Sequence, residues 1–280
     1  MLKGINQWCY PVGTPLEKVF EYSCDAGFDA VELNLNQVGG IGLTMDTTVE
    51  EAKRIVELAS SYQLQLRSLS TGLLWETSLV DPSKSVREKG RRVVEKQIEL
   101  ASVMGIDTIL VVPGLVSEAI SYTDCYERSQ EELRKVIPLA ERYDVCIGIE
   151  NVWNKFLLSP LEMARYIDEL QSEKVGAYFD VGNVLQFGYP EQWIRILGDR
   201  IKKVHVKDFS TAVGNIKGFV PLLAGDVNWV KVNEALVEIG YDDTLTAELS
   251  PYAIDPRVLA VDTARHLDVI VGQTLAVVKE

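Results

Sequence analysis

The feature that most constrains the fold is a repeated alternation of short apolar runs with longer stretches of helical periodicity. Runs that are apolar throughout are typical of strands buried on both faces of a parallel sheet. The segments between them are long enough for a helix that crosses back over the sheet. Eight strands are predicted, at residues 2–7, 30–33, 65–68, 108–111, 146–150, 176–180, 203–207 and 245–249.

Helix-start signals fall in the gaps between these strands. Thr48 and Glu51 have the spacing of a capping box, and Ser159 and Glu162 repeat it. Helical periodicity predicts further helices over 85–104, 131–143, 190–197, 230–239 and 262–271.

The order of these elements predicts the fold class. No linker rich in Pro, Ser or Gly divides the 280 residues. Eight strands alternating with helices in one unit of this length predict an α/β protein, a (β/α)8 TIM barrel forming a single domain over 1–280. The alternative is an open doubly wound sheet, which a phosphate-binding G-x-G-x-x-G after the first strand would have favoured. That position reads Asn6-Gln7-Trp8-Cys9-Tyr10 instead.

Charge and cysteine content exclude some functions and indicate a compartment. The chain has 28 Lys and Arg against 41 Asp and Glu, a net charge of −13, which argues against nucleic acid or an anionic membrane surface as a partner. Its four cysteines form no C-x-x-C pair, so we expect free thiols in a reducing compartment. No long apolar segment indicates a signal peptide or a membrane span. We expect a cytoplasmic protein, and a homo-oligomer is compatible with the sequence.

Four potential metal ligands occur at the ends of four consecutive strands. Glu150, Asp180 and Glu248 are the carboxylates, and His205 is one of only two histidines in the chain. Catalytic groups of barrels lie at the carboxyl ends of the strands, so we expect these four to meet at one rim. Asp208, just beyond the seventh strand, is the nearest alternative ligand.

The chemistry of this set favours a divalent metal ion. A single acidic residue at a strand end is more often a helix cap, and a single histidine is more often structural. Several carboxylates that converge at the end of buried strands need compensation, which a divalent cation supplies. Three carboxylates with one imidazole suit Mn²⁺, Mg²⁺ or Co²⁺ better than a thiolate-type zinc site, and Zn²⁺ itself is compatible.

At these residues the chain resembles a known family. The segments Glu150-Asn151, Phe179-Asp180-Val181-Gly182-Asn183, Val204-His205-Val206-Lys207-Asp208 and Glu248 resemble the xylose-isomerase-like barrel superfamily. Within it, the chain is most similar to the sugar and sugar-phosphate isomerase/epimerase branch, which includes the tagatose 3-epimerases and the hexulose-phosphate isomerase-like proteins. The resemblance implies that Glu150, Asp180, His205 and Glu248 bind one divalent metal ion. It also implies that Glu150 and Glu248 are the catalytic acid and base.

The implied activity is that of a metal-dependent isomerase or epimerase acting on a ketose or a ketose phosphate. One glutamate removes the proton next to the carbonyl, and the other returns a proton to the enediolate from the opposite face. Two alternatives remain open at this point, an inosose-dehydratase-like lyase and a non-catalytic sugar-binding barrel.

The chain departs from the free-ketose members of the family at three positions. Asn183 stands where those enzymes carry a substrate-binding histidine, and Phe156 stands where they carry a glutamate. The residues after His205 include Lys207 but not the usual arginine. The Asp-Val-Gly-Asn pattern at 180–183 is more similar to the sugar-phosphate members, and both a free ketose and its phosphate remain open. Asn183 and Lys207 are predicted substrate contacts.

Three further residues are predicted to contact the sugar. Lys217 lies in a loop with two glycines, Val213-Gly214-Asn215-Ile216-Lys217-Gly218, and barrels often bind phosphate after the seventh strand. Trp153 follows the fifth strand and could cover a sugar ring, while Glu32 lies at the end of the second strand. The predicted partner is therefore a small sugar or sugar phosphate.

Overall fold

The computed structural model describes residues 1–272. The strands in this part of the chain are β1 (Leu2–Asn6), β2 (Ala30–Leu35), β3 (Gln65–Thr71), β4 (Thr108–Val111), β5 (Cys146–Glu150), β6 (Val175–Asp180), β7 (Ile201–Val206), β8 (Asp208–Phe209), β9 (Phe219–Val220) and β10 (Thr244–Ala247). Eight of them form a closed barrel in the order β1-β10-β7-β6-β5-β4-β3-β2, with every neighbouring pair parallel. This confirms the predicted TIM barrel and excludes the doubly wound sheet.

Helices connect the strands around the outside of the barrel. They are α1 (Leu16–Ala26), α2 (Val49–Ser61), α3 (Lys84–Met104), α4 (Tyr122–Tyr143), α5 (Pro160–Asp168), α6 (Val181–Val184), α7 (Pro190–Leu197), α8 (Trp229–Glu238) and α9 (Pro256–Ile270). The capping box predicted at Thr48 and Glu51 is present with both of its hydrogen bonds. Within residues 1–272, none of the helices combines the length and apolar character needed to cross a bilayer.

The structure corrects several element boundaries. Helix α4 begins at Tyr122, well before the predicted start at 131, because the Ser121 side chain caps it by accepting a hydrogen bond from the Asp124 N–H. Helix α9 begins at Pro256 rather than at 262, with Asp255 as its cap. The two-stranded antiparallel sheet of β8 and β9 was not predicted, since strands of two residues have no periodicity to detect. The last residues of the predicted domain, 273–280, lie outside the described residues.

Strand register places the polar residues inside the barrel. Asp180 pairs with His205 across β6 and β7, and Tyr178 pairs with Lys203 one layer below. Lys203 is almost fully buried at the amino-terminal end of the barrel, where its Nζ lies 2.5 Å from Asp243 and 3.0 Å from Asp107. Residues aligned in parallel strands share a face, so His205 and Asp180 point to the same side at the opposite end.

Candidate metal and acid–base site

Four strand ends bring the predicted ligand set together. Strand β5 ends at Glu150, β6 ends at Asp180, β7 carries His205, and Glu248 follows directly after β10. These strands are neighbours in the barrel. One ligand atom from each of the four residues lies within 4.8 Å of the others.

The donor atoms fit a divalent cation. Asp180 Oδ2 and His205 Nδ1 are both buried and make no hydrogen bond among the described residues. His205 Nδ1 lies 3.1 Å from Glu248 Oε2, 3.4 Å from Glu150 Oε1 and 4.0 Å from Asp180 Oδ2. Buried polar atoms normally make hydrogen bonds, so two buried ligand-type atoms that make none and lie 4.0 Å apart indicate a place for a cation, next to the Lys207 ammonium group, whose Nζ lies 3.2 Å from Asp180 Oδ2. Oxygen ligands with one imidazole suit Mn²⁺, Mg²⁺ or Co²⁺.

The Asp-Val-Gly-Asn segment after β6 orients Asp180. Its Oδ1 accepts a hydrogen bond of 2.8 Å from the Asn183 N–H, so this oxygen caps the short helix α6 and Oδ2 is left for the site. Gly182 is required because the backbone of Lys207 passes against it. A Cβ at position 182 would lie 2.7 Å from Lys207 Cβ and 2.8 Å from its carbonyl oxygen.

Asn151 and Asn183 join the loops after β5 and β6. The Asn151 side chain donates to the Asp180 carbonyl and accepts from the Asp180 N–H, both at 2.8 Å. The Asn183 side chain donates to the Asn151 carbonyl at 3.0 Å, and Trp153 Nε1 donates to the Asn183 carbonyl at 2.8 Å. Asn183 and Trp153 therefore hold the loops together and also line the cavity above the site.

Lys207 lies among the predicted ligands. Its Nζ is 2.7 Å from Glu248 Oε2 and 3.2 Å from Asp180 Oδ2. The side chain is 15% exposed and its Nζ lies 5.6 Å from the centre of the Phe219 ring. The Lys207 ammonium group therefore lies beside the predicted metal ligands.

Charges inside the site shift its pKa values in opposite directions. Burial and the nearby charge of Glu248 raise the pKa of Glu150 to about 7. Burial also raises the pKa of Asp180. Burial alone would raise the pKa of Glu248 too, but Lys207 and His205 outweigh it and lower this pKa. The two glutamates predicted as acid and base therefore lie in different electrostatic surroundings.

Glu32 lies beneath the site and not at the cavity wall. It is 2% exposed, its Oε1 lies 2.6 Å from His205 Nε2, and its Oε2 accepts a hydrogen bond from the Tyr178 hydroxyl. Burial alone would lower the pKa of His205, but the charge of Glu32 and contacts with Glu150 and Glu248 raise it well above its usual value. The prediction that Glu32 contacts substrate does not fit this placement, because both of its oxygens are occupied below the ligand set.

A cavity of about 720 Å³ opens above the ligand set. Glu150 and Glu248 lie at its floor, and the exposed Lys217 lies on its wall. Lys217 makes no ion pair with any residue in the described range 1–272. Five aromatic residues also line the cavity, namely Trp8, Trp75, Trp153, Phe219 and Tyr252.

Asp208 organises the loop that carries Lys217. Its carboxylate accepts hydrogen bonds from the N–H groups of Phe209, Leu223 and Val227, and from Trp229 Nε1 at 3.0 Å. Its oxygens are therefore occupied, and Asp208 is not a ligand of the set. Gly225 allows this close packing of the loop around the Asp208 carboxylate, because a Cβ at position 225 would lie 2.2 Å from Asp208 Oδ1.

Phe156, the position that differs from the free-ketose enzymes, lies in the core. It is 1% exposed and packs edge-on against Tyr122, Tyr126 and Tyr166. This residue does not line the cavity.

Comparisons with known proteins agree with this architecture. The L-ribulose-5-phosphate 3-epimerase UlaE of Escherichia coli O157:H7 (strain EC4115 / EHEC) is 24% identical over 267 residues, covering 95% of this chain and 92% of that protein. A crystal structure of D-psicose 3-epimerase in the presence of D-fructose aligns with a TM-score of 0.81 at 16% identity, over 97% of this chain and 100% of that one. The IOLI protein with a bound zinc atom aligns with a TM-score of 0.80 at 16% identity, over 99% of this chain and 100% of that one.

The two structural likenesses show a shared fold. The family model described as "Xylose isomerase-like TIM barrel" matches residues 20–269, which is most of the chain. With sugar epimerases among its relatives and this match along its length, the chain belongs to the xylose isomerase-like TIM barrel family.

Proposed function

We propose that the chain is a divalent-metal-dependent 3-epimerase of a ketose phosphate. The observation that carries this proposal is the convergence of Glu150, Asp180, His205 and Glu248 beneath one cavity that Glu150 and Glu248 line. Two buried ligand atoms of this set make no hydrogen bond among the described residues. The similarity to an L-ribulose-5-phosphate 3-epimerase over almost the whole chain supports the same reaction class.

The two glutamates at the cavity floor are the proposed acid and base. A divalent cation held by the four residues would polarise the carbonyl oxygen of a bound ketose and acidify the adjacent C–H. Glu150 and Glu248 enter the site from β5 and from the end of β10, on either side of β6 and β7. One carboxylate takes the proton from the carbon next to the carbonyl, and the other delivers a proton from the opposite face, which inverts that carbon.

Charge at the cavity wall supports a phosphorylated substrate. Lys217 is exposed, lines the cavity and is free of ion pairs with the described residues, so its ammonium group can meet a dianion. Lys207 is proposed to contact substrate oxygens near the reacting carbons, because its Nζ lies beside Glu248 and Asp180. Trp153 and Asn183 complete the wall next to the sugar. A cavity of about 720 Å³ is within the range that encloses small ligands.

Exchange with solvent deuterium tests this function directly. The purified protein is stripped with a chelator, reloaded with Mn²⁺, Mg²⁺ or Co²⁺, and incubated in D₂O with pentulose 5-phosphates and free ketoses. We expect metal-dependent deuterium incorporation at the carbon next to the carbonyl, together with the C3 epimer. Loss of water from an inosose without exchange on any ketose would favour a dehydratase, and binding without exchange would favour a sugar-binding barrel.

A further inference from the structure

The two ring nitrogens of His205 face different surroundings. Nδ1 points to the carboxylates of Glu150, Asp180 and Glu248 and makes no hydrogen bond. Nε2 points the other way, 2.6 Å from Oε1 of Glu32. The ring is fully buried, so no solvent competes for either nitrogen.

Glu32 acts as an acceptor on both of its oxygens. Oε1 also accepts from the Asn6 side-chain amide at 2.5 Å, and Oε2 accepts from the Tyr178 hydroxyl. The orientation of the Asn6 amide is set independently, because its Oδ1 accepts from the Trp8 N–H at 2.6 Å and its Nδ2 must therefore face Glu32. A carboxylate that receives these hydrogen bonds has no proton to give, so the proton between Glu32 and His205 belongs to Nε2.

The barrel interior, and not a ligand, holds Glu32 in place. Asn6 ends β1, Glu32 lies in β2 and Tyr178 lies in β6, so three strands meet around this carboxylate. The Tyr178 ring also packs on the imidazole, with ring centroids 4.5 Å apart. The carboxylate does not line the cavity, so substrate cannot reach it directly.

We propose that Glu32 is a positioning residue that keeps the proton of His205 on Nε2 and so presents the Nδ1 lone pair to a divalent cation. This inference rests on the proposed metal site and names a residue outside the ligand set. A metal-bound histidine commonly donates its other N–H to a carboxylate, which sets both the tautomer and the ring orientation. Without Glu32, Nδ1 could carry the proton and the ring could turn.

Histidine NMR of the unaltered protein provides the first test. His205 and His266 are the only histidines, so a ¹⁵N-labelled sample gives two side-chain spin systems, and His266→Ala identifies them. The sample is loaded with Zn²⁺, which is diamagnetic. We expect His205 to retain its Nε2 proton while Nδ1 shows the shift of a coordinated nitrogen. A protonated Nδ1 in the Zn²⁺-loaded protein would overturn the inference.

Mn²⁺ affinity of Glu32 variants provides the second test. Glu32→Ala should raise the dissociation constant for Mn²⁺ about 10–100-fold, measured by calorimetry on protein that circular dichroism shows to be folded. Glu32→Gln keeps one acceptor oxygen and should fall between Glu32→Ala and the parent. Ser70→Ala is the matched control, because Ser70 bonds Asn6 at 3.0 Å in the same network but does not contact His205.

The outcomes separate this inference from the proposed function. Equal Mn²⁺ affinity of the parent and both Glu32 variants overturns the role of Glu32 and leaves the proposed epimerase intact. An equal loss in Ser70→Ala also overturns it, since the effect would then belong to the whole network. Mn²⁺ binding that depends on Glu32, in a protein without any ketose exchange, supports the inference and contradicts the epimerase. A parent protein that binds no divalent ion contradicts both.

Discussion

The ammonium nitrogen of Lys207 lies 2.7 Å from Oε2 of Glu248, and that same oxygen lies 3.1 Å from His205 Nδ1. A cation bound by Glu248 and His205 would therefore share this oxygen with Lys207. Lys207 also contacts Asp180 at 3.2 Å, so one ammonium group compensates two of the three carboxylates of the set. Its charge therefore contributes to the stability of the ligand set.

Replacing Lys207 tests that compensation. Lys207→Met keeps the length of the side chain and removes its charge, so the carboxylates lose their neighbouring cation. We expect the metal-free variant to unfold with a free energy about 3 kcal/mol lower than the parent. Mn²⁺ should then raise the melting temperature of the variant more than that of the parent. Lys89→Met, at an exposed position of α3, is the control, and equal Mn²⁺ shifts in all three proteins would contradict the expectation.

Removing His205 tests the ligand set. His205→Ala deletes the nitrogen donor, so metal content after loading with Mn²⁺ and dialysis should fall strongly, together with epimerase activity. Metal is measured by atomic spectroscopy and the fold by circular dichroism. His266→Ala, in α9, is the matched control and should retain both metal and activity. Full metal content and turnover in His205→Ala would remove this set from consideration.

Amide substitutions test the acid and base. Glu150→Gln and Glu248→Gln keep the size of each side chain but abolish proton transfer, so each rate should fall by roughly 10² or more. The readout is deuterium incorporation next to the ketose carbonyl, measured with metal content in parallel. Exchange that continues at the parental rate in both variants would contradict the assigned roles.

Replacing Lys217 tests the proposed preference for a phosphorylated ketose. Lys217→Ala should raise KM for a phosphorylated ketose and leave the kinetics of the free ketose nearly unchanged, because only the former carries a charge to lose. Lys89→Ala is the control for loss of one surface lysine. Equal kcat/KM for free and phosphorylated sugars in the parent, unaffected by Lys217→Ala, would leave a free-sugar epimerase.

Glu132 provides a test of pH dependence away from the site. In this buried glutamate of α4, Oε2 lies 2.5 Å from Nη1 of Arg91 and Oε1 lies 3.1 Å from Nε of Arg87, both arginines being on α3. Oε1 also lies 3.0 Å from Nζ of Lys135. Burial alone would raise its pKa, but these three cations outweigh it and lower the pKa of Glu132. Its contribution to stability is therefore fully present above the usual glutamate pKa of about 4.3 and is lost as the pH falls through the lower, folded-state pKa.

The comparison of Glu132→Gln with the parent measures this contribution. At pH 7 the variant should be less stable by about 3 kcal/mol in urea unfolding, because three cations lose their partner. The gap between the two proteins should narrow as the pH falls below about 4.3. A gap that stays constant down to the acid-unfolding limit would show that the charge of Glu132 is not involved.

The barrel and the meeting of four residues could be predicted because both depend on chain order. Parallel strands place their carboxyl ends at one rim, so Glu150, Asp180, His205 and Glu248 had to become neighbours once the strands were located. The approximate strand positions sufficed, although β10 ends at Ala247 rather than at 249. Helices α4 and α9 were predicted too short, because their first turns are defined by caps and not by apolar periodicity.

The sequence could not predict which polar side chains contact each other, because these contacts join strands that are far apart in the chain. The sequence placed Glu32 at the end of a strand over 30–33, but β2 continues to Leu35. Glu32 therefore lies within the strand and contacts His205, which is 173 positions away in the chain. Lys207 was predicted as a substrate contact, and the structure shows that its ammonium group contacts Glu248 and Asp180. The Asp208 carboxylate accepts hydrogen bonds from backbone N–H groups of its own loop. The amino-acid sequence alone thus determined which residue types reach the rim, since strand order is encoded by local periodicity. Only the tertiary structure decided which of them face the cavity and which hold one another, because that choice follows from side-chain direction and from the need to pair every buried charge.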